Sequence, residues 1–126
     1  MVKVKDVMNE VVAIEKDMTL KAAAKLMSDK NIGSLVVVNG DKIMGIITER
    51  DIVTNASNLG KSVKATMAKN VVTINPSEEL DNAAILMKKH KIHRIPVVDD
   101  EKLAGIITAT DLIAHADELD EEFLFE

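Results

Sequence analysis

The sequence predicts a mixed α/β (α+β) fold of two repeats related by pseudo-twofold symmetry and packed into one globule. Three observations predict it. The chain repeats itself: Val11–Val53 aligns on Val71–Ile113 without a gap, each residue meeting the one 60 positions later. Each copy alternates short β-branched runs with apolar residues at helical spacing. Each copy, at about 60 residues, is marginal alone, so the two are expected to fold on each other. Two copies are too few for a solenoid. They suffice for one body with paired, related clefts.

The elements follow in order. Val4-Lys5-Asp6-Val7-Met8 has apolar residues at helical spacing and predicts a short helix, with Val63–Met67 as its counterpart. Val11–Ile14 and Val71–Ile74 read as short strands. Asp17 and Ser77 stand where N-caps are expected. Leu20, Ala23, Ala24 and Met27, and Leu80, Ala83, Ala84 and Met87, then mark the apolar faces of two helices. Ser34–Val38 and Ile95–Val98 are near-continuous apolar runs, which predicts strands buried on both faces. Asn39-Gly40-Asp41 and Asp99-Asp100-Glu101 suit tight turns. Ile43–Thr48 and Leu103–Thr108 return as strands. Last helices start at Thr48 and Thr108, expected to carry Ile52-Val53 and Leu112-Ile113 inward. Each repeat is thus helix, strand, helix, strand, strand, helix. Residues 1–58 form the first repeat, 59–116 the second, and 117–126 an acidic tail with Phe123 and Phe125, either a solvated terminus or a docking segment for a partner.

Composition narrows the function. The chain has no Cys, so disulfides and thiolate metal sites are excluded. A net charge of −5, and no aromatic residue before Phe123, make nucleic-acid binding an unfavourable reading. No apolar run approaches the ~18 residues of a membrane span, and no leader pattern opens the chain, so a cytoplasmic protein is expected. Seven Met residues fit gap-filling in an aliphatic core without aromatics.

The pieces Gly45-Ile46-Ile47-Thr48-Glu49-Arg50-Asp51 and Gly105-Ile106-Ile107-Thr108-Ala109-Thr110-Asp111, with the run Ile95-Pro96-Val97-Val98-Asp99, carry a family resemblance. The order of elements and these motifs resemble a tandem pair of CBS domains, the Bateman module, over roughly residues 3–116. The first repeat departs from the pattern at Leu35-Val36, where the second has Ile95-Pro96. The resemblance implies a regulatory module for adenosine-containing ligands (AMP, ADP, ATP or S-adenosylmethionine) that signals to a partner through conformation or dimer packing. The module fills the chain, so a stand-alone protein is expected.

The resemblance also implies two ligand sites, each shared between repeats. Site one would join Thr48, Arg50 and Asp51 to Val72, Ile92, His93, Arg94 and Pro96. Site two would join Thr108, Thr110 and Asp111 to Val12, Ile32, Gly33 and Ser34. Two uses of the Thr-x-x-Asp pieces stay open. One is a capping box that serves stability alone, at about 1 kcal/mol. The other adds phosphate at the helix N-terminus, bonded also by the Thr hydroxyl, and ribose hydroxyls on the carboxylate. Of 16 basic residues only Arg50 and Arg94 are arginines, and both fall in site one. Arginine suits bidentate phosphate recognition. Site one is therefore expected to hold the phosphorylated ligand. Site two is expected to bind more weakly, to prefer a less charged adenosine compound, or to stay empty.

No catalytic residues, required cofactor or metal site are expected. His90 and His93 are three apart but straddle a helix end and a strand start, and His115 reads as a surface residue. No nucleophile–base pair is evident, and Asp51 and Asp111 belong to separate sites, so a non-enzyme is expected. Expected partners are an adenosine-containing small molecule, a second copy of the chain and an unknown regulated protein, with no membrane. The alternatives are a structural dimerisation module with vestigial clefts and a nucleic-acid-binding CBS protein.

Overall fold

The structure, a computed structural model, describes residues 1–119. Its order is α1 (Val4–Val7), β1 (Ala13–Glu15), α2 (Leu20–Lys30), β2 (Ser34–Asn39), β3 (Lys42–Thr48), α3 (Glu49–Thr54), α4 (Val63–Thr66), α5 (Leu80–His90), β4 (Arg94–Asp99), β5 (Lys102–Thr108) and α6 (Ala109–Ala114). A 3-10 turn follows at Ala116–Glu118. This is the mixed α+β class expected from the repeats. The stretch with Phe123 and Phe125, at the end of the acidic 117–126 tail, lies outside the described residues.

The chain divides into two compact units. One is Val12–Val71; the other joins Met1–Val11 to the chain from Val72 onward. The units are offset from the repeats expected at 1–58 and 59–116, because the opening helix of each expected repeat is built into the other's unit. Val4 of α1 is fully buried in a core with Ile74, Leu80, Ala83, Met87, Ile95 and Ile107. Its N–H donates to Glu78 O at 2.9 Å, and Leu80 N–H donates to Val2 O at 3.0 Å. Val63 of α4 likewise joins Ile14, Leu20, Ala23, Leu35, Val37 and Ile47. Its N–H donates to Met18 O at 2.8 Å.

In the Val12–Val71 unit, β1 runs parallel to β2, pairing Ala13 with Val36 and Glu15 with Val38. The β2–β3 hairpin pairs Ser34 with Thr48 and Asn39 with Lys42, and its register shifts between Val37 and Val38. Ala68 bridges Ile46 on the outer edge of β3. The other unit repeats this plan. The β4–β5 hairpin runs from Arg94–Thr108 to Asp99–Lys102, with the same shift between Val97 and Val98. Asn9 bridges Ile106, and Ile74 bridges Val97 in parallel.

The first strands differ from the sequence expectation. The strand expected at Val11–Ile14 lies at Ala13–Glu15, and the one expected at Val71–Ile74 is reduced to the bridge at Ile74. Pro76 cannot donate to a ladder. The Asn75 carboxamide oxygen accepts the Ser77 N–H at 2.8 Å and its hydroxyl at 2.6 Å, which turns the chain immediately after Ile74.

The expected caps at Asp17 and Ser77 are also displaced, by two residues. The N-cap of α2 is Thr19, whose hydroxyl accepts from Ala22 N–H at 3.1 Å; that of α5 is Glu79, with no side-chain bond. Backbone from the exchanged segments does the remaining capping. Lys61 O and Leu59 O accept from Leu20 N–H and Lys21 N–H at 2.8 and 2.9 Å, satisfying donors that a helix start otherwise leaves unpaired. Leu20, Ala23 and Met27 of α2 and Leu80, Ala83 and Met87 of α5 are buried as their spacing predicts, while Ala24 and Ala84 are half-buried.

Both faces of the central strands are buried: Leu35, Val36, Val37, Ile95, Pro96 and Val97 have essentially no exposure. The final helices correct one expectation. Leu112 is buried and Ile52 half-buried, but Val53 and Ile113 are 74% and 73% exposed. Successive helical residues point about 100° apart, so Ile52-Val53 and Leu112-Ile113 cannot both enter the core.

Candidate functional site

In each unit the Thr-x-x-Asp group stands where the returning strand of the hairpin passes into a helix. In the Val12–Val71 unit, β3 ends at Thr48 and α3 begins at Glu49. The Asp51 Oδ2 accepts the Thr48 N–H at 2.8 Å and the Thr48 hydroxyl at 3.2 Å. Arg50, one residue earlier on α3, is exposed. Thr48 pairs with Ser34 across the hairpin, and Glu49 N–H donates to Gly33 O at 3.1 Å. Val12 O accepts the Val36 N–H at 3.0 Å, and Ile32 N–H closes the α2 end on Met27 O. The Thr-x-x-Asp group and the segment Ile32-Gly33-Ser34 are thus tied together.

The other unit repeats the arrangement. Asp111 Oδ2 accepts the Thr108 N–H and the Thr108 hydroxyl, both at 2.8 Å. Thr110 is exposed beside them. Thr108 pairs with Arg94, and Ala109 N–H donates to His93 O at 2.7 Å. Pro96 O accepts from Ile74 N–H at 3.1 Å. Ile92 and Val72 are half-buried, and His93 is exposed. Within a unit, then, the Thr–Asp group of one expected site adjoins the segment named for the other.

The capping-box half of the sequence reading is therefore observed in both copies. It engages one carboxylate oxygen of each Asp and makes that oxygen's position definite. The motif glycines have a separate, steric role. A Cβ at Gly45 would lie 2.6 Å from Ala68 O, and one at Gly105 would lie 2.8 Å from Asn9 O. Only glycine admits the edge residue this close.

A size exchange distinguishes the two copies. A Cβ on Gly33 would stand 3.1 Å from Glu49 Oε1. Where the first copy has Gly33 and Glu49, the second has His93 and Ala109, so the larger residue changes sides. The copies also share a groove beside the terminal helix. One, of about 420 Å³, is lined by Ala24, Met27, Ile32, Glu49, Ile52 and Val53. Its counterpart, of about 290 Å³, is lined by Ala84, Met87, Ile92, His93, Leu112 and Ile113 among others.

Sequence reasoning missed Asn9. Its side-chain Nδ2 donates to Asp111 Oδ2 at 2.8 Å across 102 positions of sequence. The only available signal is that Asn9 follows α1 as Ala68 follows α4, one residue out of the register of the main repeat. His90 and His93 are both exposed, at the end of α5 and before β4. His115 Nδ1 lies 2.9 Å from Glu118 Oε2 at the surface. Among the described residues no three His, Cys, Asp or Glu side chains converge on a metal-sized point, and no helix is long and apolar enough to cross a membrane.

A family profile of the CBS domain matches residues 4–58 and again 61–118. The chain is 40% identical over 114 residues to the uncharacterized protein MJ1232 of Methanocaldococcus jannaschii, an alignment covering 89% of this chain and 38% of that one. It therefore spans well under half of that relative. It is 35% identical over 117 residues to the CBS domain-containing protein YhcV of Bacillus subtilis, covering 89% of this chain and 84% of the relative. Among solved structures it is similar to the CBS domain pair of protein MJ0100 in complex with 5′-methylthioadenosine and S-adenosyl-L-methionine. There the TM-score is 0.86 at 31% identity, over 94% of this chain and 98% of the other.

Proposed function

The chain belongs to the CBS-domain family as a tandem pair, and from that premise we propose that it is a regulatory module that binds an adenosine-containing ligand and signals to a partner protein. The observation that carries this reading is the twice-built Thr-x-x-Asp group. In both copies a carboxylate is held in place by its own Thr backbone and hydroxyl. A fixed carboxylate is a suitable acceptor for the paired hydroxyls of a ribose, through charge-assisted bonds. The similar MJ0100 pair in complex with 5′-methylthioadenosine and S-adenosyl-L-methionine supports the ligand class.

In this reading Thr48 and Asp51 act with Val72, Ile92, His93, Arg94 and Pro96, and Thr108, Thr110 and Asp111 act with Val12, Ile32, Gly33 and Ser34. Arg50 and Arg94 hold a phosphate or other anionic group in the first set. The protein holds its ligand without transforming it. Asp51 and Asp111 are each committed to their own helix start, bonded to Thr48 and Thr108, a role that does not suit a general acid or base. Signalling runs through a change of conformation or of packing against a second copy. Val53 and Ile113, at equivalent places on α3 and α6, are exposed and apolar and are the residues this reading assigns to that contact.

The test starts with the purified protein. With no Trp or Tyr the chain absorbs weakly in the near ultraviolet. An adenine-like spectrum released by denaturation would identify a co-purified ligand. Added ligand at 100 times its Kd should stabilise the fold by about 2.7 kcal/mol, read as a raised melting temperature. No shift with any adenosine compound would overturn the reading.

A further inference from the structure

The two Thr–Asp groups are not equally available. Asn9 is pinned to Ile106 in both directions, its N–H donating at 2.9 Å and its carbonyl accepting at 3.0 Å. Gly105 permits that approach. From this anchored backbone the Asn9 amide donates to Asp111 Oδ2 at 2.8 Å. The same oxygen already accepts from the Thr108 N–H and hydroxyl. Three donors converge on one oxygen.

The other unit lacks the third donor. Ala68 takes the place of Asn9, exchanging two backbone bonds with Ile46 at 3.0 Å and passing close over Gly45. It carries no polar side chain, and Asp51 Oδ2 accepts only from Thr48 among the described residues. A carboxylate has about four lone-pair positions, two on each oxygen. At Asp111 the donors outnumber the positions on Oδ2, and each donor lessens the carboxylate's strength as an acceptor for anything else.

We propose that Asn9 is a specificity-determining residue that weakens ribose binding at Asp111 by drawing on its carboxylate's acceptor strength as a third donor, so that the Asp51 group binds an adenosine ligand more tightly than the Asp111 group. This rests on the adenosine-ligand reading above. A ribose diol reaching the second oxygen of Asp111 meets a carboxylate whose charge is already shared among three donors; at Asp51 only two donors share it among the described residues.

The experiment titrates the full chain with 5′-methylthioadenosine by calorimetry, one group silenced at a time. In an Asp51→Ala background, Asn9→Ala should tighten binding about tenfold, the effect of one charge-assisted hydrogen bond no longer drawing on the carboxylate. In an Asp111→Ala background the reciprocal Ala68→Asn should weaken binding about tenfold. Both changes should disappear with 2′-deoxyadenosine, which lacks the diol. Ala68 is exposed, so Ala68→Asn also serves if Asn9→Ala proves unstable. Unchanged or weaker binding in Asn9→Ala, or unchanged binding in Ala68→Asn, overturns the role given to Asn9 while leaving the ligand class intact. No saturable binding by the wild-type chain overturns the adenosine reading itself, and this inference with it.

Discussion

Asp51 and Thr48 close the first turn of α3 on each other: one carboxylate oxygen accepts both the Thr48 N–H, at 2.8 Å, and its hydroxyl, at 3.2 Å. The proposed function gives the bond two separable consequences to test, stability and ligand holding. Asp51→Ala removes the cap and should cost about 1 kcal/mol, lowering the melting temperature by roughly 3–6 °C. Asp51→Asn keeps a neutral oxygen for the Thr48 N–H. It should retain most of the stability while losing the charge-assisted hold on a ribose. Thermal melts of the two variants, with ligand titrations beside them, check both.

The motif glycines make a sharper stability test. Gly45→Ala and Gly105→Ala place a methyl group 2.6 and 2.8 Å from the backbone oxygens of Ala68 and Asn9. Neither oxygen can retreat without breaking its bridge, so each change should cost about 2–3 kcal/mol. Gly40→Ala is the control. Gly40 has φ +64° with open space around it, and the cost should be only about 1 kcal/mol. Chemical denaturation ranks the three. Equal effects at 40, 45 and 105 would contradict the close-approach account.

The second hairpin turn has room for improvement. Asp100 and Glu101 both take positive φ, 49° and 66°, between the paired residues Asp99 and Lys102. Two-residue turns of this kind favour Asn-Gly. Asp100→Asn with Glu101→Gly should stabilise the protein by about 0.5–1 kcal/mol, seen as a higher denaturation midpoint.

Association through the terminal helices predicts a surface phenotype. Val53→Glu and Ile113→Glu alter residues about three-quarters exposed, so the fold should persist by circular dichroism. The sedimentation coefficient should fall to that of a monomer. A wild-type chain that already sediments as a monomer would contradict the assembly proposal.

The arginines predict ligand selectivity. Arg50→Ala and Arg94→Ala should weaken AMP or ATP binding by roughly tenfold or more, the range of a charge-assisted contact. Both should leave 5′-methylthioadenosine, which carries no phosphate, nearly unchanged. Competition between the two ligands reads the difference directly.

What was legible in the sequence was local or repeated. The spacing of Leu20, Ala23 and Met27 marked a helix face because periodicity records burial. Thr48 and Asp51, three apart, marked a capping box that the backbone then formed. What escaped depends on distant chain. Thr19 and not Asp17 caps α2, because Lys61 and Leu59 reach the first turn and set where it starts. Helices α1 and α4 read correctly as helices, but local pattern carries no signal for the unit into which each packs. Asn9 joins Asp111 across 102 positions, so the asymmetry between the candidate groups rests on a contact that no motif records.

The central claim is adenosine-ligand binding through the Thr–Asp groups. Its most direct measurement is calorimetric titration of the wild-type chain and an Asp51→Asn, Asp111→Asn double variant with AMP, ATP, S-adenosylmethionine and 5′-methylthioadenosine. The account predicts saturable binding of at least one of these to the wild-type chain, and its loss in a double variant that still melts cooperatively. No saturable binding to the wild-type chain, or equal binding to both proteins, would contradict it.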